Sequence, residues 1–228
     1  GAGIDSRLLI DSEVQRILPE VYKHLSKSSP RLRFVKVHDA YSYNDLNKPL
    51  IPTEATHKVV YLVRNPLDVV GSFASHNNTT IQHTIKYMAN KKAYLPNISE
   101  GLNTNNQLRQ KLSDWSGHVK SWLDQDNIDV VVVRYEDMLS DSYKTFTRII
   151  SEIDLKVSKT AILKAIDLTK FSKLKKNEKE KGFKEKNINS NAFFRSGKSG
   201  SYKSELSKAQ IEDIKKSHKI VMKSLGYL

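Results

Sequence analysis

Apolar residues along this chain follow two rhythms. Three short runs are dense in β-branched residues: RFVKVH at 33–38, KVVYLV at 58–63 and DVVVVR at 129–134. Their length and valine content predict strands. The last two show little alternation, the pattern of strands covered by helices on both faces of a parallel sheet. Between and after these runs, apolar residues recur at the spacing of one helix face. Ile10, Val14, Ile17, Val21 and Leu25 form one stripe, and Leu108, Leu112, Trp115, Val119 and Trp122 a second. Ile211, Ile214, Val221 and Leu225 form a third, opened by Ser207 three residues before Gln210 in a capping-box pattern. All three stripes read as core. Strands alternating with helices predict an α/β fold with a central, mainly parallel sheet flanked by helices.

Two stretches interrupt this order. Residues 172–201 are poor in apolar side chains, and seven lysines and three glutamates crowd between Lys173 and Lys186. That stretch reads as a mobile basic loop or lid. A second surface loop is expected around residues 97–105. With no internal repeat and no linker, residues 1–228 read as one domain.

Composition narrows the class. No apolar run approaches the roughly 18 residues that span a bilayer. The opening residues carry no basic and apolar leader pattern, so no secretory signal is expected. Zero cysteines rule out a disulfide frame, a cysteine zinc site and a thiol nucleophile. A cytoplasmic setting fits best, and the glycosylation patterns at Asn78 and Asn97 then carry no weight. The net charge of +13 points to an anionic partner: nucleic acid, a membrane surface, or a small molecule bearing phosphate or sulfate. A lysine-rich solvated surface gives the same number, so charge alone does not choose.

Candidate chemistry sits at strand ends. In YLVRNPLDVVGS, residues 61–72, a strand runs out at about Val63 and Pro66 suits the first turn of a helix. Ligands of α/β sheets gather at such ends, where a helix N-terminus offers free N–H groups. Arg64 stands there with a planar fork able to hold two phosphate oxygens. Ser72 adds a hydroxyl. The plain alternative is an Arg64–Asp68 pair at a strand end. In FFRSGKSGSYK, residues 193–203, cations and small residues let the backbone approach an anion, although a flexible basic linker has the same composition. Lys36 and His38 lie two apart on the first run, on one face if that run is a strand. A histidine of ordinary pKa, near ~6.5, can take a proton from an attacking hydroxyl at neutral pH.

Taken in order, these segments resemble the sulfotransferases that use 3′-phosphoadenosine 5′-phosphosulfate (PAPS). The resemblance runs from about Arg33 to Gly200. It implies a P-loop NTPase-like three-layer fold. It implies that Arg64 and Ser72 grip the 3′-phosphate, completed by Arg195, Ser196 and Gly197 of an R-x-G-x-x-G segment. The family often has lysine where Ser196 stands and Asp-Trp where Ser201 and Tyr202 stand. His38 is implied as general base and Lys36 as the cation at the sulfate–phosphate bridge. Tyr135 in the sequence YED, with Thr169 and Phe171 in a T-x-F pair, is implied to border the adenine. PAPS is then the donor, the bisphosphate PAP the product, and a hydroxyl or amine of a small molecule the acceptor, without a metal, nucleic acid or membrane partner. Oligomeric state and acceptor identity are not legible. Family members open with a strand, a phosphosulfate loop and a helix, and no such segment occurs here, so the chain as given is expected to be a weak or inactive piece. A nucleic-acid module would interleave aromatics with its lysines, but only Phe183 lies between Lys173 and Lys186. A P-loop kinase would need G-x-x-x-x-G-K-[ST], which is absent. A non-catalytic relative stays open.

Overall fold

The computed structural model describes residues 9–28, 30–95, 108–183, 186 and 192–228. They fall into two compact units, one made of residues 1–59 and 90–130, the other of 60–89 and 131–228.

In the first unit, α1 (Asp11–Lys27) carries the first predicted stripe. Its first turn holds Asp11 and Glu13, which suit the positive end of a helix, and Glu13 accepts the N–H of Ile10 at 2.9 Å. Strands β2 (Tyr94–Leu95) and β3 (Gln110–Lys111) pair antiparallel. Helix α4 (Trp115–Leu123) buries Val119 and Trp122. The second stripe therefore starts later than its spacing predicts. Gln110 and Lys111 belong to a ladder, Ser113 takes a left-handed φ of 62°, and Asp114 caps the helix by accepting the N–H of Gly117 at 2.7 Å.

The strand expected at residues 33–38 is not formed. Residues 32–40 lie in neither helix nor strand, and Phe34 is 74% and Val35 54% exposed. A β-branched run becomes a strand through a ladder partner and a half-buried face. Among the described residues one sheet pairs Val59–Val63 with Val130–Arg134 and the other pairs β2 with β3, and neither includes this run.

The second unit holds most of β1 (Val59–Val63) and β4 (Val130–Arg134), which pair as the two other runs predict. Helices α2 (Pro66–His76) and α3 (Ile81–Met88) follow β1. After β4 come α5 (Tyr135–Ser140), α6 (Ser142–Glu152), α7 (Lys159–Leu168), α8 (Phe171–Lys181), α9 (Tyr202–Glu205) and α10 (Lys208–Ser224). Val131 and Val133 of β4 turn inward and pack with Ile149 and Ile153, closing one aliphatic core. Helix α10 packs on α2 and α3 through a face that buries Ile214, Val221 and Met222. Its capping box is present: Ser207 N–H donates to Gln210 Oε1 at 2.9 Å, and Gln210 N–H to Ser207 Oγ at 3.3 Å. Within 172–201, α8 occupies the first part, while residues 184–185 and 187–191 lie outside the described residues, as does the whole loop expected at 97–105. Among the described residues, no helix is long and apolar enough to cross a membrane. The described residues form an α/β protein with many helices and two small two-stranded sheets.

Candidate phosphate site

In the second unit, β1 hands the chain to α2 through Arg64 and Asn65. Asn65 caps α2 by accepting the N–H of Leu67 at 3.0 Å, and Pro66 takes the first helical position, where a missing N–H costs nothing. The turn is held from the end of β4: Glu136 accepts the N–H of Asn65 at 3.0 Å and the hydroxyl of Tyr227 at 3.0 Å. Burial and the Glu136 carboxylate both push the Tyr227 hydroxyl well above its usual range. Arg64 lays its guanidinium over the ring of Tyr135, 4.5 Å from the centroid, and donates from Nη2 to the carbonyl of Lys198 at 2.9 Å. Asp68, 3% exposed, accepts the N–H of Gly200 at 2.7 Å and of Tyr202 at 3.0 Å. Arg64 and Asp68, which could have paired with each other, thus take separate partners.

The loop from Phe193 to Tyr202 is fixed at several points. Glu178 of α8 accepts the N–H of Phe193 at 2.5 Å and of Phe194 at 2.9 Å. Gly197 has φ 61° and lies on the ring of Phe171; a Cβ there would come within 2.3 Å of that ring. Arg195 donates from Nη1 and Nη2 to the two carboxylate oxygens of Glu205, at 2.8 and 2.9 Å. Glu205 in turn lies against α2, since a Cβ on Gly71 would fall 2.2 Å from its Oε2. Ser72, the next residue, is half-buried, as is Ser196. The two segments singled out in the sequence, 134 residues apart at Arg64 and Lys198, are therefore stitched together.

The remaining expected residues divide. Tyr135 opens α5 beneath Arg64, and Phe171 opens α8 beneath Gly197. Thr169 ends α7 with its hydroxyl donating to the carbonyl of Ala165 at 2.8 Å, so that group is spent on the helix end. Lys36 and His38 belong to the first unit, where both are exposed. There α4 grips the backbone at and after His38. His118 Nε2 donates to the His38 carbonyl at 3.0 Å, Trp122 Nε1 to the Asp39 carbonyl at 2.9 Å, and Ser121 Oγ accepts the N–H of Tyr41 at 2.9 Å. Burial pushes the Asp39 carboxyl up to about 6, although it accepts the Lys111 N–H, and burial pushes His118 down. Among the described residues, no group of three or more His, Cys, Asp or Glu is arranged to hold a metal ion.

The sulfotransferase domain family model matches residues 7–226. The chain belongs to this family. Luciferin sulfotransferase of Photinus pyralis is 26% identical over 190 residues, covering 78% of this chain and 47% of that protein. Sulfotransferase 1C2 of Homo sapiens is 24% identical over 197 residues, covering 82% of this chain and 60% of that protein. The chain thus spans about half to three-fifths of these two relatives. Among solved structures, a mouse sulfotransferase complexed with PAP superposes with a TM-score of 0.62 at 21% identity, covering 88% of this chain and 69% of that one. Retinol dehydratase in complex with androsterone and PAP gives a TM-score of 0.61 at 23% identity, covering 92% of this chain and 65% of that one.

Several guanidinium groups of the second unit keep unspent donors. The Nε atoms of Arg64, Arg134 and Arg195 are all buried without a hydrogen-bond partner among the described residues. Buried donors are normally paired, but Arg134, whose guanidinium lies over Tyr227, shares the feature, so an orphaned Nε is not particular to the two phosphate candidates. Sequence reasoning missed what the carboxylates of this region do: Asp68, which it offered only as a partner for Arg64, and Glu136, Glu178 and Glu205. Two of them were within motifs already noted, Asp68 four residues after Arg64 and Glu136 next to Tyr135.

Proposed function

We propose that this chain belongs to a PAPS-dependent sulfotransferase that moves a sulfuryl group to a hydroxyl or amine of a small-molecule acceptor. The observation that carries the reading is the union of the Arg64 and Arg195 segments in one unit, joined by the bond from Arg64 to the Lys198 carbonyl. Membership of the sulfotransferase domain family supports it, as do relatives solved with PAP. The finer architecture we propose is P-loop NTPase-like, with three layers around a mainly parallel sheet, in one domain whose residues 172–201 act as a basic lid. A cysteine-free sequence favours a cytoplasmic setting.

When bound, the donor supplies the sulfuryl group and a phosphate leaving group. Arg64, Ser72 and Arg195 hold the 3′-phosphate, with Ser196 and Gly197 lending backbone groups, so that binding energy remote from sulfur positions the reaction. Tyr135, Phe171 and Thr169 border the adenine. His38 takes the proton of the acceptor hydroxyl as it attacks. Lys36 places positive charge where negative charge grows on the departing phosphate. No step calls for a metal.

Calorimetric titration with adenosine 3′,5′-bisphosphate beside 5′-AMP tests the site. Clear preference for the bisphosphate is expected, and equal affinity for the two rejects a 3′-phosphate pocket. His38→Ala should abolish transfer and leave bisphosphate affinity unchanged. Normal turnover of that variant, where the unaltered protein transfers a sulfuryl group, would remove His38 as the base.

A further inference from the structure

Three carboxylates converge on the loop from Phe193 to Tyr202, and they bind different things. Asp68 and Glu178 accept backbone N–H groups and so shape the loop. Glu205 binds a side chain, taking both ends of the Arg195 fork at 2.8 and 2.9 Å. This bidentate geometry is the one a guanidinium offers to two phosphate oxygens. The pair is open to water, with Arg195 34% and Glu205 27% exposed, whereas Asp68 is 3% exposed. Glu205 Oε2 also rests against α2 at Gly71, the residue before Ser72. A carboxylate therefore occupies the fork and the helix face that the phosphate reading assigns to a ligand.

We infer that Glu205 is a built-in counter-anion of this site, holding the Arg195 fork when no ligand is bound and giving it up to the ligand's phosphate. The inference rests on the phosphate-site reading above. A solvent-open ion pair is weak, so the exchange is not costly. A phosphomonoester carries close to two negative charges at neutral pH and displaces a single carboxylate, while a singly charged group has no such advantage. Gly71 makes the arrangement possible, because any side chain there would push the carboxylate off the helix.

Glu205→Gln keeps the shape and removes the charge. By calorimetry, adenosine 3′,5′-bisphosphate should bind E205Q about tenfold more tightly than the unaltered chain, equivalent to about 1.4 kcal/mol. Equal or weaker binding overturns the inference. A second readout needs no nucleotide. In the ligand-free protein, Arg195 should react faster with phenylglyoxal in E205Q, followed by peptide mass spectrometry, while Arg64 reacts as before. An unchanged Arg195 rate also overturns the inference. If neither chain binds the bisphosphate, the phosphate-site reading fails, and the arginine rates still decide whether Glu205 holds the fork. Gly71→Ala both displaces the carboxylate and fills its place. It should speed Arg195 modification yet weaken bisphosphate binding, and tighter binding would show that the phosphate does not take the carboxylate's position.

Discussion

Gly200 donates its backbone N–H to the buried carboxylate of Asp68 at 2.7 Å, joining residues 132 apart in sequence. Tyr202 makes the same kind of bond to the other oxygen at 3.0 Å. Hydrogen bonds to charged groups are among the stronger ones, and a buried N–H left unpaired carries a desolvation penalty. Asp68→Ala should therefore lower stability by about 2–4 kcal/mol. Urea unfolding with an unchanged slope would read this as a shifted midpoint. A midpoint within error of the unaltered chain would show that the loop is held by something else.

Arg64 serves two partners, the ring of Tyr135 and the carbonyl of Lys198. Arg64→Ala should weaken bisphosphate binding by roughly 1.5–3 kcal/mol, the scale of one charge-assisted hydrogen bond. Arg64→Lys should recover only part of this loss, since an ammonium lacks the planar fork and lies less well on an aromatic face. Unchanged affinity in the alanine variant would remove Arg64 from the site.

Asp39 gives a pH signature in the first unit. Its carboxyl is pushed up to about 6 in the folded chain by burial. An unfolded aspartate titrates near ~3.9, so the folded state holds the proton more tightly. The associated stability is fully present below the unfolded value and is lost as pH rises through about 6. Asp39→Asn removes that loss. The variant should be more stable than the unaltered chain at pH 7 by on the order of 2 kcal/mol, with the advantage vanishing at about pH 3.5. Carboxyl carbon NMR titration gives the pKa directly, and a value near ~4 would contradict the expectation.

The grip of α4 on the backbone after His38 can be loosened one bond at a time. Ser121→Ala removes the acceptor for the Tyr41 N–H and should cost about 1 kcal/mol. Hydrogen exchange should quicken at Tyr41 more than at Val131 in β4. Equal changes at both sites would mean global destabilisation rather than local release.

Strands β1 and β4 and helices α1 and α10 were legible because long apolar patterns with caps or turns leave few alternatives. The run at 33–38 has the same valine-rich look, yet strand formation depends on a partner that no local pattern encodes. Leu108 and Leu112 fit the spacing of α4, but Asp114 directly before Trp115 was the better signal, since an acidic cap marks where a helix begins. Arg64 and Arg195 were readable from their motifs. Their arrangement was not, because Asp68 and Glu136 act on backbone groups 71 to 134 residues away, and Glu205 reads as one more surface acid in a basic chain.

The β4–α6 core is aliphatic, while the Arg195 loop is tethered by carboxylates. Dissolved ions reach the open Arg195–Glu205 pair but neither the core nor the buried Asp68 carboxylate. The screening length shrinks from about 10 Å at 0.1 M salt to about 3 Å at 1 M. Concentrated salt, and phosphate or sulfate buffers above all, will therefore loosen the Arg195–Glu205 pair, while the same excluded salts tighten apolar burial in the core. Two laboratories choosing different buffers would handle one core with two differently set loops.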